Sequence, residues 1–177
     1  NYDPGVFNNN TSSLVSDKFI AKIDWNINQN HNLSFKHSYV RADQLDANAS
    51  TGSSINFTNR AVSFESITNS TAIELSSKFS ERVSNNLVVG YTVVNDDRNP
   101  NGNPFPAVQI FDGSNESIFF GSEPFSTANK LDQKTLTITD NVQISSGRHT
   151  VTLGTNNELA SADNVFFRQN FGEYRFN

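Results

Sequence analysis

Pairs of alternating runs joined by tight polar turns constrain the fold of this chain more than any other feature. In the stretch "KIDWNINQNHNLSFKHSYV", Lys22 to Val40, Ile23, Trp25 and Ile27 share one face of the first run, and Lys22, Asp24 and Asn26 share the other. In the second run Leu33, Phe35, His37 and Tyr39 oppose Ser34, Lys36 and Ser38. Successive side chains of a strand point to opposite faces, so a period of two predicts a sheet with one apolar and one polar surface. The polar stretch Asn28–Asn32 between the runs predicts a hairpin turn. The alternation alone leaves open whether the apolar surface meets a sandwich core or membrane hydrocarbon.

The arrangement repeats. Hairpins are predicted over about 17–42, 60–95 and 131–154, with the second turn at Glu81–Asn85 and the third at Ser146–Arg148. The other connections, about 43–59, 96–130 and 155–177, are much longer. Structureless loops beyond about 12–15 residues are uncommon in compact domains. Transmembrane β-barrels, by contrast, alternate short turns on one side of the membrane with long loops on the other. We therefore expect an all-β fold, an antiparallel up-and-down meander of about six or seven strands that forms part of a larger transmembrane β-barrel. The rival is a secreted β-sandwich binding module of adhesin or lectin type, which requires two inner faces packed about 10 Å apart.

Composition fits the first architecture. The 177 residues suffice for one domain. A mean hydropathy of −0.51 excludes helical membrane spans. It does not exclude a barrel, whose strands need only alternate residues apolar. The net charge of −5, with scattered Lys and Arg, offers no basic stripe for nucleic acid. Without cysteine there is no disulfide framework or thiolate metal site. Around 135–144, Leu136, Ile138, Val142 and Ile144 share a face opposite Thr135, Thr137, Thr139, Asn141 and Gln143, with Asp140 interrupting the apolar set. Trp25, Phe35 and Phe79 lie close to predicted short turns, where barrels place aromatic girdles. Under the barrel reading Phe19, Ile23, Trp25 and Ile27 face lipid, and Lys18, Lys22, Asp24 and Asn26 face the lumen.

No enzyme motif is present, and no catalysis is expected. There is no nucleophile elbow, zinc-protease motif or phosphate-binding glycine loop. His31, His37 and His149 are widely separated, and the adjacent Asp96 and Asp97 form only a generic carboxylate pair. "DRNPNG" from Asp97 to Gly102 matches the front half of a calcium loop, with Asp97, Asn99 and Asn101 at ligand positions. Val108 stands where the bidentate Glu belongs and Pro100 stiffens the middle, so the expectation is a turn and no metal. The segment also carries Phe105, Phe111, Phe119, Phe120 and Phe125. These rings either stack on a ligand or fold the loop onto itself, the second reading being preferred. Asp97, Arg98, Phe105, Phe119 and Phe120 are the candidate ligand-binding residues.

The stretches "DKFIAKIDWNINQNHNLSFKHSYV", "SSKFSERVSNNLVVGYTVVNDDRNPNGNPFP" and "HTVTLGTNNELASADNVFFRQNFGEYRF" resemble the barrel region of TonB-dependent outer-membrane receptors. The likeness is to receptors of Bacteroidetes type with a carboxypeptidase-regulatory-like N-terminal domain, and it runs from about Asp17 onward. It implies a barrel of about 22 strands with a plug inside, located in the cell outer membrane and taking up substrate through its outer loops. Plug, TonB box and regulatory domain are not in this sequence, so an internal fragment of the barrel is expected. The partners the resemblance implies are the remainder of its own barrel and plug, outer-membrane lipid and the energising TonB complex, with no cofactor.

Overall fold

The computed structural model describes residues 1–8, 10–113 and 116–177. Ser114 and Asn115, inside the expected long connection, lie outside the described residues. The strands in chain order are β1 (Ser13–Asn28), β2 (His31–Asp46), β3 (Ser54–Asn56), β4 (Val62–Lys78), β5 (Val83–Pro100), β6 (Ala107–Asp112), β7 (Glu116–Phe120), β8 (Asn129–Ser146), β9 (His149–Phe166) and β10 (Glu173–Phe176). Six of them form one sheet in the order β1-β2-β4-β5-β8-β9, and every neighbouring pair is antiparallel. This is the expected meander. The remaining four form a separate small sheet, β10-β6-β7-β3.

The hairpin turns are tighter than the sequence suggests. Gln29 and Asn30 alone join β1 to β2, Asn28 Oδ1 accepting from the Asn30 N–H at 2.8 Å, and a register shift between Asn26 and Asn28 absorbs the spare residue. Gly147 and Arg148 join β8 to β9. A two-residue connection of the II′ kind needs positive φ at its first position, and Gly147 supplies it at 62°.

Except for β4, which begins at Val62 inside the predicted 60–95 hairpin, the strands run past their predicted ends and reach 16–18 residues, so that 155–166 belongs to β9 rather than to a loop. The reason is visible in the outward positions. Towards the long connections they become charged (Arg41, Asp43, Glu65, Asp97, Lys130, Asp163), so the apolar alternation ends while the hydrogen-bond ladder continues. A tilted strand crosses a bilayer in about 9–11 residues; the charged ends stand beyond it.

Register places the apolar residues on one face. One row across the ladder runs Ile23, Phe35, Ile73, Val89, Ile138 and Asn157, and the next runs Trp25, Leu33, Leu75, Leu87, Asp140 and Thr155. On β1 the band extends from Phe19 to Ile27, about 30 Å of strand at 3.3 Å per residue, or about 23 Å of height at a tilt near 40°. Phe19 pairs directly with Tyr39 at one end, and Trp25 and Phe79 lie towards the other. The opposite face carries Lys18, Lys22, Asp24, Asn26, Ser38, Ser70, Thr92 and Thr137, and the recesses along the sheet open mainly on it. The polar face is the concave one.

Among the described residues no second layer covers the outward face, and the small sheet meets the other face only at the end nearest the long connections. Ile23 is 65% exposed, Trp25 59% and Leu153 63%, and among the described residues no large side chain is fully buried. A sandwich buries its apolar face against a second sheet; among the described residues the outward band meets no such layer. Hydrocarbon is a solvent that suits the band.

Among the described residues the buried apolar side chains, Ala47, Ala61, Val62, Ala107 and Val108, lie where the long connections meet. The connections are not structureless. They supply the small sheet, with β10 parallel to β6, β6 antiparallel to β7 and β7 parallel to β3. The N-terminal residues lie along this cap, the Thr58 N–H donating to Val6 O at 2.8 Å and Asn10 Nδ2 to Asn56 O at 2.9 Å. Tyr2 stacks on Phe105 at 3.6 Å between centroids, and Phe105, Phe120, Phe57 and Phe7 continue the chain of rings. Gly121 anchors it: its φ of 87° suits glycine, and a Cβ there would strike the Pro106 carbonyl oxygen.

Two outcomes follow for the full-length protein. Ile73→Arg, at mid-height of the outward band, is expected to cost about 2–4 kcal/mol of folding free energy in lipid, and Ser70→Arg on the concave face less than about 1 kcal/mol; equal losses in denaturant titrations of lipid-embedded protein would invert the assignment of faces. Gly121→Ala introduces strain on the order of 1–3 kcal/mol. It should open residues 101–128 to added protease while the barrel keeps its heat-modifiable mobility on gels, and unchanged protease resistance would mean the cap does not depend on this turn.

Candidate functional site

The concave face ends, on the side of the long connections, in a recess roofed by the cap. Alternation points Gln44, Asp46, Val62, Phe64 and Arg98 inward from β2, β4 and β5. With Asn48, Glu123 and Ser126 from the connections they line a volume of about 340 Å³. The Arg98 guanidinium lies 5.1 Å from the Phe64 ring centre, a cation–π contact that holds its long side chain across the wall. A smaller hollow adjoins it, sharing Phe64 and Arg98 and adding Asp96, Asn129 and Leu131. Asp96 Oδ1 is buried there with no hydrogen-bond partner among the described residues.

The roof is held by polar contacts. Asn48, at φ 46°, donates from Nδ2 to Arg60 O at 3.0 Å, and the Asp46 carboxylate accepts from the Asn48 N–H at 3.3 Å. Glu123 accepts from the Phe125 N–H at 2.9 Å, and Arg168 lies 4.6 Å from the Phe125 ring centre. One guanidinium, an aromatic face and three carboxylates in a wet recess suit reversible binding of a polar ligand.

The candidate residues from the sequence do not form one site. Arg98 lines the recess, but Asp97, its neighbour on an extended strand, points outward between Glu65 and Lys130. Phe105 and Phe120 belong to the ring chain of the cap, and Phe119 packs edge-on to Phe111 at 6.2 Å beneath Arg60. The segment's rings do contact one another, Phe105 with Phe120 and Phe111 with Phe119, but the cluster also takes in Tyr2, Phe7 and Phe57 from other segments. Asp96 and Asp97 lie on opposite faces and flank no common cleft.

The calcium-loop likeness also dissolves. Asp97 and Asn99 are in β5, where the backbone is extended and cannot wrap an ion, and Asn101 donates from Nδ2 to Thr58 O at 3.1 Å. Among the described residues no group of three His, Cys, Asp or Glu is placed to hold a metal. His31 Nδ1 lies 2.9 Å from Ser77 Oγ and His37 Nδ1 2.9 Å from Thr71 Oγ1, both ordinary cross-strand pairs.

Sequence reasoning missed Gln44, Asp46, Phe64 and Glu123. Gln44 and Asp46 lie beyond the end of the predicted 17–42 hairpin, while Phe64 lies inside the predicted 60–95 hairpin. Extending the first hairpin's period of two to 46 and pairing it with the second would have shown the three sharing a face.

A comparison with protein-family models matches residues 2–177 to an outer membrane beta barrel domain. No curated protein and no solved structure matches the chain. The single-layer sheet, its outward apolar band and the family match agree, and the chain belongs to the outer membrane β-barrel domain family and resides in the outer membrane.

Proposed function

We propose that this segment is part of the wall and mouth of a TonB-dependent receptor, with the capped recess as an early contact for incoming substrate and no catalytic step. The observation that carries the reading is the position of the recess. It opens on the polar, concave face beneath a roof formed by separate long connections, where a solute passing from outside into the lumen must go. The outer edges of β1 and β9 have no strand partner among the described residues, and unpaired edges are not stable in lipid. Further strands of the same barrel are their natural partners. Plug and energising complex complete the transporter in this proposal.

The test uses the full-length protein in its own cells. An impermeant thiol reagent should label Asn101→Cys, beside the cap, and not Gly147→Cys, in a short turn; labelling of both would put the short turns outside and end the topology. The nutrient whose uptake is lost on deleting the receptor then serves as cargo. Arg98→Ala is expected to lower its uptake at least tenfold at unchanged surface abundance, and removal of the energising complex should abolish uptake. Uptake that persists without the complex would rule out TonB-dependent transport.

A further inference from the structure

The outward band carries a polar patch at one side of the sheet. Asp140 lies between Val142 and Ile144 on one side along β8 and Ile138 and Leu136 on the other, at the middle of the apolar height of that strand. It pairs across the ladder with Thr155, and Asn157 is the next outward position on β9, with Leu153 and Leu159 beyond. From β5, Asn85 Nδ2 donates to Asp140 Oδ1 at 2.5 Å, and Asn157 Nδ2 donates to Thr155 Oγ1 at 3.0 Å. Asp140, Thr155 and Asn157, on two adjacent strands, therefore face the middle of the bilayer, and Asn85, near the short-turn end of β5, bonds to Asp140 from beside them.

Hydrocarbon offers such groups nothing, and polar residues held at this depth mark contacts with something other than lipid. Two other outward polar pairs, His37 with Thr71 and His31 with Ser77, are each satisfied within the pair at 2.9 Å. The Asp140 patch differs in carrying a carboxylate, and its one described bond, from Asn85, leaves acceptor capacity on the second oxygen. Asn157, on the exposed strand β9, keeps a second N–H after its bond to Thr155.

We propose that this patch is a lateral interface with a second copy of the protein in the membrane plane. A two-fold contact needs a donor and an acceptor on the same surface, offset from one another, so that each copy offers what the other lacks. Asp140 and Asn157 meet that condition, one strand and one outward step apart. An axis passing between them sets each Asp140 carboxylate against the Asn157 amide of the other copy. Thr155 lies at the centre, and Leu153 and Leu159, 63% and 66% exposed, form an apolar surround. A next strand paired to the outer edge of β9 would lie two strands from Asp140, about 10 Å, and would cover only part of the patch.

The experiment is cross-linking in native outer membranes. The full-length protein carries Leu159→Cys as its only cysteine and is treated with a short bis-maleimide; Ile23→Cys on β1, at similar height, is the control. A product at twice the monomer mass is expected from Leu159→Cys, at least fivefold above the control. Asp140→Ala should lower it at least fivefold and Asp140→Asn, which keeps an acceptor oxygen, should retain most of it. Should Asp140→Ala fail to assemble, as judged by heat-modifiable mobility, Asn157→Ala is read in its place with the same expected loss. No dimer product, a product only with a protein of another mass, or a dimer indifferent to both substitutions would each overturn the proposal.

Discussion

Everything in this molecule depends on a single sheet having different solvents on its two faces. Six long strands satisfy one another's backbone groups through a continuous antiparallel ladder, but no second layer receives their side chains. In water the outward band of Phe19, Ile23, Trp25, Leu153 and Leu159 would be an exposed apolar patch of the kind that aggregates. Against hydrocarbon the same band costs nothing. The low mean hydropathy of −0.51 follows, because most apolar outward residues alternate with polar inward ones and the charged strand ends lower the mean further.

The cap obeys the opposite rule. There the apolar groups hide from water in the ordinary way, through Ala61, Ala107 and Val108 and the chain of rings from Tyr2 to Phe7. Burial pushes the Tyr2 hydroxyl pKa up, as expected for a phenol enclosed among rings. The recess lies at the junction of the two regimes, its floor made of inward strand residues and its roof of cap residues. A ligand seated there touches both, so the membrane-anchored wall and the water-facing cap sense it together.

The alternation around Trp25 and around Ile138 was enough to show antiparallel strands, and the rhythm of short and long connections was enough to suggest a barrel. These features were legible because they are local and periodic. Most strand ends were not, because Asp43, Asp97, Lys130 and Asp163 replace the apolar outward residues without ending the ladder, and hydropathy alone cannot distinguish a charged strand from a loop. The cap was hidden for a different reason. Its small sheet joins Ser54–Asn56 to Glu116–Phe120 and Ala107–Asp112 to Glu173–Phe176 by parallel pairing, which has no turn to announce it. Arg98 could be singled out from composition, but not that Asp97 beside it points to the other side of the wall.

Arg60 shows what joining distant segments demands. It ends a single 3-10 turn, Thr58–Arg60, in the first long connection, and its guanidinium sits 4.6 Å from the ring centre of Phe119 in the second. Burial lowers its pKa, while the carboxylates of Glu123, also in the second connection, and Glu173, beyond β9, oppose that shift. Glu173 is itself fixed by Gln109 Nε2 at 2.7 Å, by Gln169 and by Arg175. Nη1 of Arg60 is buried with no hydrogen-bond partner among the described residues, so the charge is retained through the aromatic face and the field of two acids rather than through a direct ion pair. Such a centre is stable only while the connections that form it stay together; separating any one removes either the ring or a compensating charge. The long connections are therefore held as one body rather than as independent loops, by a ring and a carboxylate from the second and a carboxylate from beyond β9 around a single guanidinium of the first.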